Sequence, residues 1–295
     1  MTGDVFGQAP PQVTDADVAA GLRVDFGLSG SLASLDSERD RNLRLTGPDG
    51  EWVVKVANVA EHPATLDLQH RALDHVARVD PALPVPRVWH TIDGSPTARW
   101  TSDQGEHLVR CVTWLPGRPL ATVPRTDALE RHLGHVLGRL SAALVGFSHP
   151  AAHRPDFLWN LDRAQDVRPW TADIADPADR ALVERAFERH LRRAVPLLPL
   201  LRAAAVHHDA NDYNVLADGD EVTGLIDFGD MLLARQVNEL AVALAYALLD
   251  QADLVAVTRR VVGGYVAEFA LDERELQVLF DLVVARLAMS VTISS

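Results

Sequence analysis

The stretch Val206-His207-His208-Asp209-Ala210-Asn211-Asp212-Tyr213-Asn214-Val215-Leu216 most constrains the fold. An apolar run leads into a polar loop of the form His-x-Asp-x-x-x-x-Asn, and a second apolar run leads out. Thirteen residues after Asn214 stands Asp227, in Leu225-Ile226-Asp227-Phe228-Gly229-Asp230. Short apolar runs bounded by turn residues read as buried strands, and Asp218-Gly219-Asp220 between them is a turn signal. The interval Ala204 to Asp227 is therefore expected to fold as strand, polar loop, strand, turn, strand. That arrangement puts Asp209, Asn214 and Asp227 at strand ends.

These residue types suit one chemistry. Phosphoryl transfer from ATP needs an acceptor-only oxygen near the attacking hydroxyl and oxygen ligands for Mg²⁺ bridging the phosphates. The order of residues is that of the kinase signature His-Arg-Asp-x-x-x-x-Asn followed by Asp-Phe-Gly, with His208 in place of arginine. A plain polar turn, or a metal-hydrolase site using both histidines, would account for the loop alone. The spacing to Asn214 and the downstream Ile-Asp-Phe-Gly oppose both. The chain holds 28 basic residues, of which Lys55 is the only lysine. It sits in the strand-like Trp52-Val53-Val54-Lys55-Val56-Ala57, like the kinase element Val-Ala-Ile-Lys. A compact ammonium there would neutralise nucleotide phosphates, a task for which the planar guanidinium fork is not equivalent. A lysine on an exposed strand face, in an arginine-rich chain, is the alternative.

Composition bounds the rest. With 295 residues and 47 % hydrophobic content, the chain can bury a substantial core in one large domain or two lobes. A net charge of −13 repels nucleic acid on average and tolerates a cationic small molecule. The lone Cys111 excludes an internal disulfide and a multi-cysteine zinc site, and is expected in the core. No uncharged run approaches the length of a membrane span and the start does not resemble a signal peptide, so no membrane partner and a cytoplasmic location are expected. The final residues, from Arg286, stop inside an apolar helical pattern, as in a trimmed chain or one ending in a buried helix.

Along the chain, residues 1–12 read as a loose arm and 13–26 as a short helix capped by Thr14 or Asp15. Arg41–Leu45 and Trp52–Val56 are strands flanking the turn at 46–50. Leu66–Val76 is a helix, broken by 79–86, and His107–Leu115 a strand. Leu133, Val136, Leu137, Leu140 and Leu144 recur at helical spacing, as do Leu182, Val183, Phe187, Leu191 and Val195. Three further helices are expected at 237–249, 252–269 and from 272 onward. Pro116-Gly117-Arg118-Pro119 is the candidate link between a β-rich lobe, 1–115, and a mostly helical lobe, 116–295.

The chain resembles the aminoglycoside phosphotransferase and choline-kinase-like small-molecule kinases. Within them it is most similar to the hydroxylysine-kinase-like branch, whose bacterial relatives can be fused to an aminotransferase-like domain. The resemblance rests on Ser37-Glu38-Arg39-Asp40-Arg41-Asn42, Lys55, His207–Asn214, Gly224–Met231 and Val237–Tyr246. It implies an α+β, bilobal protein-kinase-like fold with a small antiparallel-sheet N-lobe and a larger helical C-lobe. It also implies ATP with Mg²⁺ and a small amine-containing alcohol as acceptor, hydroxylysine- or ethanolamine-like. An antibiotic kinase, for aminoglycosides or macrolides, and a non-catalytic nucleotide-binding pseudokinase domain are the alternatives. By match, Asp209 is the catalytic aspartate, Asn214 and Asp227 are the Mg²⁺ ligands, Lys55 contacts phosphates and His207 braces the catalytic loop.

Three departures from kinase patterns follow. The helix position that would pair with Lys55 holds Gln69, with Asp67 the alternate. No Gly-x-Gly-x-x-Gly is present, so residues 27–42, with Gly30 and Ser31, are expected to serve as the nucleotide-covering loop. No Ala-Pro-Glu follows Asp227. Val112 to Trp114, before Leu-Pro-Gly, is the expected hinge meeting adenine through backbone groups. On the helical lobe, Asp156, Trp159, Asp162, Asp230 and Glu239 are candidates to bind the acceptor's ammonium group, with Asp230 foremost.

Overall fold

The computed structural model describes residues 10–37 and 39–295. Most of the expected N-terminal arm, and Glu38, lie outside these residues. The described chain divides into two compact units. One runs to Asp74 and resumes over Val85–Leu115; the other is His75–Pro84 with Pro116–Ser295. Residues 75–84 thus go with the second unit, where bonds hold them. Arg139 forks onto Asp80 at 2.8 and 2.6 Å, His75 Nε2 lies 2.9 Å from Ala143 O, and Leu225 N donates to Pro84 O.

The first unit opens with helix α1 (Asp15–Gly21). Thr14 caps it: its hydroxyl accepts from Asp17 N while the Asp17 carboxylate accepts from Thr14 N, a reciprocal pairing of otherwise orphaned donors. A wider turn, Leu22–Phe26, extends α1 to Gly27. Strands β1 (Ser31–Leu35), β2 (Arg41–Gly47) and β3 (Gly50–Val56) follow, then helix α2 (Pro63–Val79) and strands β4 (Val88–Trp89), β5 (Ala98–Ser102) and β6 (Gly105–Thr113). The sheet is antiparallel in the order β1-β2-β3-β6-β4, with β5 also on β6. Strands β2 and β3 close through Pro48-Asp49, with Gly47 opposite Gly50.

Strand alternation sorts side chains to two faces. Leu43, Leu45, Trp52, Val54, Val56, Val109 and Cys111 form a core with Val18, Leu22 and Phe26. Burial there pushes the Cys111 thiol far up. Lys55 alternates to the other face, in register with Asn42 and Arg110. Strand β1, expected as loop, is mostly exposed and lacks the apolar alternation by which a half-buried strand is recognised.

In the second unit the supposed link is itself structured. Strand β7 (Arg118–Pro119) is an edge strand, and Thr223 Oγ1 donates to Pro116 O at 2.7 Å. Helices α3 (Asp127–Ala143) and α4 (Pro177–Arg193) flank a kinked 3₁₀ segment, Leu161–Asp173. Strands β8 (Ala203–Val206), β9 (Val215–Asp218), β10 (Glu221–Leu225) and β11 (Leu232–Arg235) come next, then α5 (Asn238–Ala247), α6 (Leu254–Glu268) and α7 (Glu273–Ile293). β10, β9 and β7 form one small sheet, β11 and β8 another. α3 and α6 cross almost backbone to backbone: a Cβ on Gly134 would lie 1.9 Å from Val261 O, and one on Gly264 2.1 Å from Arg131 O. Helix α7 is long and apolar enough by composition to cross a membrane. Its Val278, Leu282, Ala285 and Met289 are buried, and it packs on α4, α5 and the 161–173 segment, as a core helix does.

Candidate active site

Strands β8 and β9 hold the polar loop between them. His207 is fully buried at the end of β8. Its Nε2 lies 3.0 Å from Ile226 O and its Nδ1 accepts from Asp209 N at 3.2 Å. A ring that donates at one nitrogen and accepts at the other is neutral, and burial takes its pKa down to about 4. Its edge meets the Phe228 ring at 4.6 Å. His207 thus ties the residue before Asp227 to Asp209 and is a positioning residue in the resting structure.

His208 takes a left-handed backbone, φ 70°, which an ordinary residue enters only when its surroundings hold it there. Its Nε2 lies 3.0 Å from Trp159 O and 3.2 Å from Leu161 N. Glu239 Oε2, in the first turn of α5, accepts from His207 N at 2.7 Å and His208 N at 3.4 Å. Glu239 is buried, and burial raises its pKa to about 7. It braces the loop backbone, so the expectation that it meets a substrate cation is corrected.

The Asp209 carboxylate is surrounded by donors. Asn214 Nδ2 reaches Oδ2 at 2.6 Å and the Asp209 carbonyl at 3.0 Å. Asn211 Nδ2 and Arg286 Nη2 reach Oδ1 at 3.1 and 3.2 Å. Burial, then the charge of Asp230, push the Asp209 pKa up to about 7, against the pull of Arg286 and Asn211.

Asn214 and Asp227 are brought together through Ile226, whose N–H donates to Asn214 O at 2.9 Å and whose carbonyl meets His207. With the Asn214 amide nitrogen committed to Asp209, its Oδ1 is the end left to serve as a ligand. Asp227 is exposed, in the left-handed region at φ 60°, and its Oδ1 accepts from Gly229 N at 3.2 Å. Among the described residues no group of three or more His, Cys, Asp or Glu could hold a metal. An amide oxygen and a carboxylate nonetheless fit Mg²⁺, which takes one or two protein oxygens and completes its shell from phosphates and water.

Arg154 secures the turn beyond Asp227, donating to Gly229 O at 2.8 Å and Met231 O at 3.2 Å. Of the acceptor-side candidates, Asp230 lies near enough for its charge to act on Asp209. The Trp159 ring stacks on the Arg286 guanidinium at 4.5 Å. Asp162 is corrected: its carboxylate accepts from Arg235 N at 3.2 and 3.3 Å and from Asn238 Nδ2 at 2.8 Å. It ties β11 to α5. Asp156 is exposed. Arg286, on α7, carries no local signal of its role, since an arginine in an apolar helix does not announce a partner 77 residues away.

In the first unit, Lys55 shares its sheet face with Arg110. Gln69 Oε1 accepts from Arg110 Nη1, so the expected pairing of Gln69 with Lys55 is replaced by one with the neighbouring arginine. Gly30 and Ser31 are also corrected. Ser31 pairs with Thr46, whereas Lys55 pairs with Asn42, which faces Leu35 at the other end of β1. Four residues of strand, about 13 Å, separate the two ends. Gly30 is required because a Cβ would lie 2.2 Å from Thr46 O. At the Lys55 end, Asp40 N donates to Ser37 Oγ and Asp40 Oδ1 accepts from Asn58 N. The hinge expectation changes likewise. Val112 is paired with Val53 on one side and Val88 on the other, and Trp114 N donates to Glu51 O at 2.9 Å. Val112 and the Trp114 N–H are thus committed to the sheet.

Hydroxylysine kinase of Mus musculus is 27 % identical over 97 % of this chain and 83 % of its own length. Among solved structures, a microcompartment-associated aminopropanol kinase superposes with a TM-score of 0.73 at 19 % identity, covering 94 % of this chain and 88 % of that one. Amicoumacin kinase, solved with AMP-PNP, Ca²⁺ and its antibiotic, gives 0.73 at 15 %, covering 95 % and 86 %. The fold, an antiparallel-sheet unit with a mostly helical one, is shared with these kinases. The model of the phosphotransferase enzyme family, APH, matches residues 32–276, and the chain belongs to that family.

Proposed function

We propose that this protein is an ATP- and Mg²⁺-dependent kinase that phosphorylates the hydroxyl of a small amine-containing alcohol, hydroxylysine- or ethanolamine-like. The observation that carries the reading is the linked set Asp209, Asn214 and Asp227, bound to one another through His207 and Ile226. In the reaction, the acceptor hydroxyl oxygen attacks the γ-phosphorus and the bond to the ADP oxygen breaks. Asp209 orients the hydroxyl and takes its proton. Asn214 Oδ1 and the Asp227 carboxylate would hold Mg²⁺, which supplies electrostatic stabilisation of the phosphate charge. Lys55, on the first unit, would offset the charge of the non-transferred phosphates. We assign nucleotide binding to the first unit and acceptor binding to the second. Use of ATP fits a cytoplasmic setting.

The amino-alcohol class is favoured by the similarity to hydroxylysine kinase along nearly the whole chain. Likeness to amicoumacin kinase at 15 % identity speaks for the fold alone, so the antibiotic reading has no separate support. Intact Asp209, Asn214 and Asp227 oppose the pseudokinase reading, and the relatives' names lend no support to an aminotransferase-like partner. The test is ADP formation with Mg-ATP over a panel of hydroxylysine, ethanolamine-type alcohols, aminoglycosides and macrolides at equal concentration. The highest kcat/KM is expected for an amino alcohol. An antibiotic ranking first would overturn the acceptor class, and ATP binding without turnover on any member would revive the pseudokinase reading.

A further inference from the structure

We infer that Arg286 reads a carboxylate on the acceptor, so that the acceptor is a hydroxylated amino acid. This rests on the kinase reading above. Arg286 is 2 % exposed, and its guanidinium lies against the faces of Trp159 at 4.5 Å and Tyr246 at 5.6 Å. Nη2 makes one bond of 3.2 Å to Asp209 Oδ1, while Nε and Nη1 are buried without a protein partner. Leaving buried, charged N–H donors unpaired is costly. A guanidinium binds carboxylates best as a two-pronged fork, and here Asp209 engages only one prong.

The geometry of the fork supplies the consequence. A planar guanidinium offers two bidentate edges, Nε with Nη2 and Nη1 with Nη2. Both include Nη2, the nitrogen bound to Asp209. Each edge uses a different one of the two Nη2 hydrogens, and Asp209 Oδ1 takes one of them, so a carboxylate fits the other edge beside Asp209 and satisfies one of the two unpaired nitrogens. Asp230, whose charge already acts on Asp209, is a counter-charge for an ammonium group. An acceptor with hydroxyl, ammonium and carboxylate engages Asp209, Asp230 and Arg286; an amino alcohol without the acid leaves the open edge of Arg286 unpaired.

The experiment compares hydroxylysine with its α-carboxamide and its decarboxylated analogue, following ADP release and phosphorylated product. In the wild type, kcat/KM for the acid should exceed that for either analogue by about 10- to 100-fold, with KM rising for the analogues. Arg286→Met should collapse this ratio to within about threefold of unity, and Arg286→Lys should restore part of it through the retained charge. A purely structural role would lower activity on all three acceptors alike and leave the ratio unchanged. ATP affinity and thermal unfolding report whether each variant is folded; if Arg286→Met is not, the wild-type comparison of acid with carboxamide decides. Equal use of acid and carboxamide by the wild type overturns the inference and leaves the kinase reading standing. Absence of phosphorylated product from every acceptor overturns both.

Discussion

Replacing His207 by phenylalanine separates bracing from proton transfer. The ring volume and the edge contact with Phe228 are kept, but the Ile226 carbonyl loses its donor and the Asp209 N–H its acceptor. His207 is 0 % exposed, so water does not replace either bond. Each abandoned buried group costs about 1–3 kcal/mol, giving about 2–6 kcal/mol for the pair. That is a large share of the roughly 5–15 kcal/mol that holds a domain folded. The same two bonds set the position of Asp209 relative to Asp227. Loosening them should lower kcat by about 100-fold, the usual result of misplacing a reacting group by about 1 Å. Urea unfolding gives the first quantity; initial rates, taken well below the melting temperature at saturating Mg-ATP and acceptor, give the second. A stability loss under about 1 kcal/mol with unchanged kcat would refute the bracing role. Unchanged stability, together with a displaced pH profile of kcat, would show that His207 instead carries the proton.

Asp227→Ala should raise the Mg²⁺ concentration needed for tight ATP binding by about tenfold or more, because a carboxylate ligand is lost; an unchanged titration would remove Asp227 from the metal site. Lys55→Arg should lower kcat/KM by about tenfold or more despite equal charge, because the fork replaces a point charge beside Arg110; full activity would assign the lone lysine to an arginine-rich composition. His70 is buried, and burial followed by the Arg110 charge takes its pKa down to about 3, with Asp67 opposing and His90 adding to the fall. Unfolded, it titrates near 6.5. Below that pH the unfolded chain binds a proton that the folded chain refuses, so its contribution is intact above pH 6.5 and is lost as pH falls toward 3. In His70→Leu, chemical denaturation should show an acid dependence shallower by up to about 1.4 kcal/mol per pH unit in that window; parallel curves would contradict the burial argument.

Much of the fold is legible along the chain because its signals are local. The turn at 48–49, the helices at 127–143, 238–247, 254–268 and 273–293, and the strand-loop-strand around His207 all declare themselves through period, turn chemistry or spacing. Asp209, Asn214 and Asp227 stand out for the same reason: their spacing along three short elements is the chemistry's own requirement. Lys55 is legible because it is unique. The edge strand β1 and the 3₁₀ segment at 161–173 are not, since neither carries a periodic apolar stripe to bury.

What the residues do beyond that was decided by tertiary structure. A glutamine on α2 can face either of two adjacent cations on the sheet, and register gives it Arg110. Gly30 looks like a phosphate cradle until the β1–β2 pairing sets it against Thr46 O. Val112 and the Trp114 N–H look like hinge groups until their strand neighbours take them up. Asp162, Asp230 and Glu239 are equivalent as carboxylates in sequence; packing assigns the first to β11 and α5, the last to the loop amides, and leaves Asp230 acting on Asp209. Arg286 is invisible in a helix read by its apolar period, because its role is set by a contact with Asp209 across 77 residues. A side chain's identity and spacing determine which bonds it is able to make, but which partner comes within 3 Å depends on how distant elements pack, and no local pattern encodes that distance.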